Sequence, residues 1–183
     1  IIFMKKNKFT YFKYQDPKLN QEMKKIIFSK EIISLVKRFL NFKKKILVNN
    51  EFVVSVENKD LTRKELNENS AQFHRDLESK NFIKMFIYLN DVTSENGPHT
   101  YIPNSNKSGL NFANLRYYSD EEIREKNLKF INIVGKKGTL FFEDTYGFHK
   151  GGIIKSGYRL MLILTYYIPL SFHNNKNHQF TEN

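Results

Sequence analysis

Gly138-Thr-Leu-Phe-Phe-Glu-Asp-Thr-Tyr-Gly-Phe-His149 reads as a short strand, a tight turn and the start of a second strand. A short apolar run opens on a glycine and closes on Glu143, a tight Asp144-Thr-Tyr-Gly147 turn follows, and a histidine heads the next segment. Runs this short, rich in aromatic and β-branched residues and bounded by turn residues, belong to antiparallel sheets. Working outward, the same texture holds from Phe73 onward, with strands expected at residues 81–89, 99–103, 130–134, 138–143 and 158–168. Turn residues separate them at Asn96-Gly97-Pro98, across 135–138, at Gly151-Gly152 and at Ser156-Gly157. One helical stretch, residues 119–126, interrupts the pattern, with Ser119 as its N-cap and Glu121 and Glu122 in the first turn, where the helix dipole favours acids. The pattern predicts a mainly β sandwich or barrel with flanking helices.

Before Phe73 the chain is mixed and basic. Lys30–Leu40 carries Ile32, Ile33, Leu35, Val36, Phe39 and Leu40 at helical spacing, and residues 51–56 read as a strand. We expect residues 1–60 to be scaffold and residues 73–168 the barrel core, within a single domain spanning 1–183. No internal repeat or low-complexity linker divides the chain. The first residue is Ile, so nothing before Met4 carries weight in this reading.

The chain has 183 residues and no cysteine, which leaves any metal site to histidines and carboxylates and favours hard or borderline ions such as Fe(II), Mn or Zn. A net charge of +11 could draw phosphates. Lysine, however, is spread along the whole chain with asparagine, isoleucine and phenylalanine, and no stretch mixes arginines with aromatics as a nucleic-acid module does, so no nucleic-acid partner is expected. No charged-then-apolar leader opens the sequence and no apolar run approaches the roughly 20 residues that span a membrane; the cytoplasm is the expected compartment.

The chemistry starts at His74-Arg-Asp76. On an extended segment residues two apart project to one side, so the imidazole and the carboxylate can converge while Arg75 points away. Alone, this pair reads better as a surface hydrogen bond. His149 changes the balance, because a second histidine at a strand end can meet the first pair. Two histidines and one carboxylate on one face of an ion leave neighbouring positions open, the arrangement associated with non-haem Fe(II) oxygenases, and the openings admit a 2-oxo acid and dioxygen. Arg159 opens the run Arg159-Leu-Met-Leu-Ile-Leu-Thr-Tyr-Tyr167, where alternation places Arg159, Met161, Ile163, Thr165 and Tyr167 on one face. A guanidinium entering so apolar a strand is matched by a carboxylate, which its planar fork binds bidentately; a strand-end arginine lying in solvent is the other reading.

Taken together, Phe73-His-Arg-Asp76, Lys84-Met-Phe-Ile-Tyr-Leu-Asn-Asp-Val92, Glu95-Asn-Gly-Pro-His-Thr-Tyr-Ile-Pro103, Arg116-Tyr-Tyr-Ser-Asp-Glu-Glu-Ile123 and the 138–149 stretch, followed by Arg159, resemble the phytanoyl-CoA dioxygenase family of Fe(II)- and 2-oxoglutarate-dependent oxygenases. The resemblance covers about residues 73–167. It implies a double-stranded β-helix, a jelly-roll or cupin-like barrel, in which His74, Asp76 and His149 hold Fe(II) and Arg159 pairs with the distal carboxylate of 2-oxoglutarate. The implied reaction is hydroxylation of a small organic substrate, with 2-oxoglutarate going to succinate and carbon dioxide. It also implies an inward Phe86 beside the cosubstrate. Lys84 and Tyr88 share that face, so Lys84 is expected to meet a carboxylate or to snorkel from the barrel rim. Thr165 joins the cosubstrate side by alternation with Arg159. His99 and Tyr88 are expected substrate contacts, and His173 and His178, in a polar tail, are expected to be solvated.

Two departures stand out. The family often reads Pro-Gly-Ser-His where this chain has Pro103-Asn-Ser-Asn106, and many members carry Ser or Thr two residues after the second metal histidine, where this chain has Gly151. The competing class is a non-catalytic cupin-like barrel whose three ligands hold a metal or a small acid without turnover, since a fold does not fix a function. Arg159 argues against it, because a purely structural site has no use for a carboxylate anchor.

Overall fold

Tyr158–Tyr167 is buried along most of its length and on both of its faces. In the computed structural model, which describes residues 11–15, 18–57, 62–68, 70–77, 81–107, 117–169 and 179–180, the elements run β1 (Tyr11–Gln15), α1 (Gln21–Ile27), α2 (Lys30–Leu40), β2 (Leu47–Val56), α3 (Arg63–Glu68), β3 (Phe73–His74), β4 (Phe82–Tyr88), a 3-10 turn (Ser94–Asn96), β5 (His99–Tyr101), β6 (Tyr117–Tyr118), α4 (Asp120–Glu125), β7 (Ile131–Ile133), β8 (Leu140–Glu143), β9 (His149–Gly151), β10 (Tyr158–Tyr167) and β11 (Gln179–Phe180). They form two antiparallel sheets. The larger is ordered β1-β2-β10-β4-β8 with β11 on β2, and the smaller β6-β3-β9-β5-β7. Most neighbours are distant in sequence, the hallmark of a double-sheet jelly roll rather than a meander.

One face of β10 sends Leu162, Leu164 and Tyr166 against α1 and α2, where they meet Ile27, Val36, Ile83 and Met85. The other face turns Met161 and Ile163 into the space between the sheets with Val53, Phe86, Tyr88 and Val92. The larger sheet is thus covered on both faces, which is why β10 is apolar at both parities. The helices are locally specified. Ser29 caps α2, and Asn41 ends it in the left-handed region at φ 48°. Ser119 and Glu122 form a reciprocal capping box at α4, with bonds of 2.6 and 3.2 Å.

The expected strands at 81–89, 99–103, 130–134, 138–143 and 158–168 appear trimmed by a residue or two. The run 51–56 is longer than its composition suggested, because Leu47–Val56 pairs with β10 from Tyr158↔Val56 to Tyr167↔Leu47. Read as scaffold, this strand lies beside β10 within the larger sheet and buries Val53 and Ser55.

Tyr166 ties the sheet to the helical layer by donating its hydroxyl to the Ile27 carbonyl at 3.0 Å, in the buried interior. Tyr166→Phe strands that carbonyl and should cost about 1–3 kcal/mol. Urea unfolding should show the loss, while metal binding by His74, Asp76 and His149 stays unchanged.

Candidate metal centre

His74 ends β3 and His149 begins β9, and the two are direct partners across these antiparallel strands. Their rings lie 4.5 Å apart. His74 Nδ1 faces the Gln72 carbonyl at 2.8 Å and His149 Nδ1 the Gly147 carbonyl at 3.0 Å. A carbonyl only accepts, so both rings carry their proton on Nδ1 and present a bare Nε2. Asp76, two residues past His74, is fixed by its amide donating to the Thr145 carbonyl at 2.9 Å. Its carboxylate lies 3.9 Å from His74 Nε2 and 3.6 Å from His149 Nε2. The ligand atoms of His74, Asp76 and His149 all lie within 4.8 Å of one another. Two atoms each about 2.1 Å from one ion are at most about 4.2 Å apart, so both His–Asp separations suit a shared cation. Arg75 points away, stacked 4.2 Å from the Phe148 ring centre and donating to the Ser105 carbonyl at 2.7 Å.

Electrostatics prepare the same donor set. Burial holds His149 down at about 4 and also lowers His74, with Asp76 opposing in both. For Asp76, burial acts upward, but the Lys84 charge and then His149 outweigh it and hold the carboxyl well below the usual range. At neutral pH the cluster therefore offers two neutral imidazoles and one carboxylate, which fits a hard or borderline divalent cation. Lys84, expected among the cosubstrate contacts, is buried and its ammonium meets the Asp76 carboxylate, 2.7 Å away.

Behind the triad, β4 and β5 supply a packed aromatic wall. Phe86 lies 4.6 Å from His99 and is stacked 5.0 Å from Phe141. The His99 ring stacks 5.6 Å from His149. Its Nε2 meets both oxygens of Glu143, at 2.9 and 3.0 Å. Sequence reasoning passed over Glu143, although a signal existed: it shares a strand face with Phe141, and the register sets it opposite Lys84. Burial pushes Glu143 up to about 8, and burial followed by the Arg159 charge pushes His99 down to about 3. Tyr88 is fully buried; its hydroxyl donates to the Ile133 carbonyl at 2.6 Å and accepts from the His99 amide at 3.1 Å, pinning one sheet to the other.

Arg159 is 2% exposed. Its Nη1 donates to the Gly97 carbonyl and its Nη2 to Ser55 Oγ at 3.2 Å. Ser55, a second residue missed by sequence reasoning, had no signal: it is one polar residue in a strand that also carries Asn49, Asn50 and Glu51. Thr165, half-buried, sits opposite Lys84 in register. The departure at Pro103-Asn-Ser-Asn106 is resolved by Asn104, which adopts φ 63°, the left-handed conformation a glycine supplies elsewhere. Ser105 then accepts from the Phe148 amide at 2.7 Å, and Asn106 donates to Asp144 at 2.7 Å, bracing the turn before His149. Arg116, His173 and His178 lie outside the described residues.

The chain matches phytanoyl-CoA dioxygenase (PhyH) over residues 3–159. It belongs to the phytanoyl-CoA dioxygenase family. Among solved structures, family-like folds include the non-heme alpha ketoglutarate dependent carbocyclase SnoK from nogalamycin biosynthesis, 18% identical with a TM-score of 0.59, covering 80% of this chain and 59% of that one. The epimerase SnoN, in complex with Fe3+, alpha ketoglutarate and nogalamycin RO, is 15% identical with a TM-score of 0.61, covering 88% of this chain and 65% of that one. HygX from Streptomyces hygroscopicus, with nickel, 2-oxoglutarate and hygromycin B bound, is 13% identical with a TM-score of 0.59, covering 88% and 71%. At these identities the likeness is one of fold. The chain spans about three fifths of the length of SnoK and SnoN. No curated protein matches it. Among the described residues no helix is long and apolar enough to cross a membrane.

Glu143 makes the stability of the fold depend on pH. A carboxyl kept protonated by the fold, but free to ionise in the unfolded chain near 4.5, contributes stability that is complete below 4.5 and lost as pH rises toward about 8. Glu143→Gln removes that dependence. Melting temperatures of both proteins across this pH window should show the wild type falling steadily relative to the variant; parallel curves would refute the assignment.

Proposed function

We propose that the protein is an Fe(II)- and 2-oxoglutarate-dependent oxygenase that hydroxylates a small organic substrate. The single observation that carries this is the convergence of His74, Asp76 and His149, with both Nε2 atoms bare and the carboxylate between them. Family membership supports it, as do fold relatives whose structures hold iron or nickel with 2-oxoglutarate.

His74, Asp76 and His149 would hold the iron. Bound there with 2-oxoglutarate and dioxygen, it supplies the oxidative decarboxylation that yields succinate and carbon dioxide and the oxidising power for a substrate C–H bond. The chain's own residues set the conditions. The carbonyls of Gln72 and Gly147 fix both imidazole tautomers, and Lys84 keeps Asp76 ionised and oriented. Arg159 anchors the distal carboxylate of 2-oxoglutarate from an apolar wall, where a charge-assisted pair is strongest. Phe86 walls the same space and excludes water; Thr165 lies on the same inward face as Arg159. For His99 and Tyr88 the bonding favours an architectural role: Glu143 engages the imidazole, and the tyrosine hydroxyl both donates and accepts within the wall. We assign to them the support of His149 and the joining of the sheets rather than contact with substrate.

The test is anaerobic titration with Fe(II) and 2-oxoglutarate, followed by admission of oxygen and measurement of succinate across a metabolite panel. Arg159→Ala should weaken 2-oxoglutarate binding by the equivalent of about 2–5 kcal/mol with metal affinity nearly unchanged, and Arg159→Lys should rescue only in part, because a point charge cannot reproduce the fork. His149→Ala should abolish succinate formation yet leave a folded protein. A wild-type protein that loads iron, forms no succinate with any substrate and melts on chelation would instead be the non-catalytic barrel.

A further inference from the structure

We propose that the helical layer, α1 and α2 with the Lys43-Lys44-Lys45 segment that follows them, docks on an anionic phospholipid surface. The layer lies across the larger sheet from the metal cluster: on β4, Ile83 and Met85 face the helices, while Lys84 between them meets Asp76 on the other side. Docking therefore does not depend on the oxygenase reading.

Lysine is spread along the whole chain, but acid is not. Residues 18–45 hold nine lysines and arginines against two acids, so 28 residues supply +7 of the net +11 and the other 155 supply +4. Lys25, Lys30, Arg38, Lys43, Lys44 and Lys45 are all exposed. Of the two acids, Glu22 is paired with Lys25 at 2.7 Å, and Glu31 sits in the first turn of α2, where the helix dipole favours it. A surplus of this density is complementary to a polyanion.

The same layer exposes apolar side chains. Leu35 and Phe39, each 48% exposed, stand one turn apart on α2, and Ile26 of α1 is 53% exposed. The helices already bury Ile27 and Val36 against the sheet, so these three are surplus to the core. A single exposed apolar residue is ordinary. Three within 14 residues, among exposed lysines, have the chemistry of an interfacial helix, whose apolar side chains enter the acyl boundary while basic heads meet lipid phosphates. Nucleic acid would use the charge but leave Leu35 and Ile26 in water, because bases stack on aromatic rings and arginine planes, and this layer exposes one such ring, Phe39, and holds one arginine, Arg38. A lipid surface uses both the charge and the aliphatic side chains.

The experiment is sedimentation of the full chain with vesicles of phosphatidylcholine alone or of phosphatidylcholine with about one-third phosphatidylserine, at low and at raised salt. The wild type should bind the anionic vesicles, come off as salt screens the surface, and ignore phosphatidylcholine alone. Replacing Lys43, Lys44 and Lys45 together by Gln should weaken binding roughly hundredfold, since each lysine at such a surface contributes about fivefold. Replacing Lys129, Lys136 and Lys137 by Gln removes the same charge from exposed sites outside the layer and should stay within a few-fold of wild type. Phe39→Gln should weaken binding about fivefold, the share of one half-exposed apolar side chain, and Leu35→Gln is a second such variant should Phe39→Gln unsettle α2. Absence of wild-type binding to the anionic vesicles, equal loss in the two lysine variants, or wild-type affinity in both apolar variants overturns the docking surface. A mixed-sequence DNA duplex that binds the wild type more tightly than the vesicles do assigns the layer to nucleic acid and overturns it as well. Metal loading of the Lys43, Lys44 and Lys45 variant should match wild type, so failure here leaves the oxygenase reading standing.

Discussion

The pairing of Tyr158–Tyr167 with Leu47–Val56 on one side and Phe82–Tyr88 on the other is the constraint from which the rest follows. Side chains alternate across a sheet, so a slip of one residue in either register would send Arg159 and Ile163 toward the helices and Leu162 and Leu164 into the space between the sheets. Two apolar reservoirs hold the register at once. α1 and α2 demand Leu162, Leu164 and Tyr166, and the interior demands Met161 and Ile163. Each large side chain is worth roughly 1.5–3 kcal/mol of burial, so a slipped register would forfeit several such terms together. The charged residues of the site are therefore placed by their apolar neighbours.

The interior holds an unusual density of ionisable groups, and it is tolerable because the charges are few. Asp76 is anionic and has Lys84 at 2.7 Å. His149 and His99 are pushed toward their neutral forms and Glu143 toward its protonated one, chiefly by burial. Desolvation thus does two jobs. It removes charges that would cost several kcal/mol each if left unpaired, and it leaves the imidazoles as bare donors for a cation. The carbonyls of Gln72 and Gly147 complete the arrangement by deciding which ring nitrogen faces inward.

The loop that delivers His149 shows how a departure in sequence is absorbed. Asn104 takes the left-handed conformation, the Ser105 hydroxyl receives the Phe148 amide, and Asn106 bonds Asp144. One left-handed residue and two short polar side chains brace one turn, and that turn sets where β9 begins.

Much of the fold was legible in the residues themselves. Short-period alternation and turn chemistry are local properties, so the strands, α2 and α4 with its Ser119 cap could be read directly. Other features were illegible because they are set by distant segments. The run 51–56 holds its place because β10, about a hundred residues away, pairs along its whole length, and short α1 is held by its Asn20 cap and by Ile27 packing under β10. Glu143 acquires its character only when burial and His99 meet it, and Ser55 only when Arg159 lies across from it. The sequence by itself determined which residue types could bind a metal and a carboxylate, and on which face of each strand they stand. The tertiary structure alone decided which of them meet, because cross-strand register and desolvation are properties of assembled sheets and of no single segment.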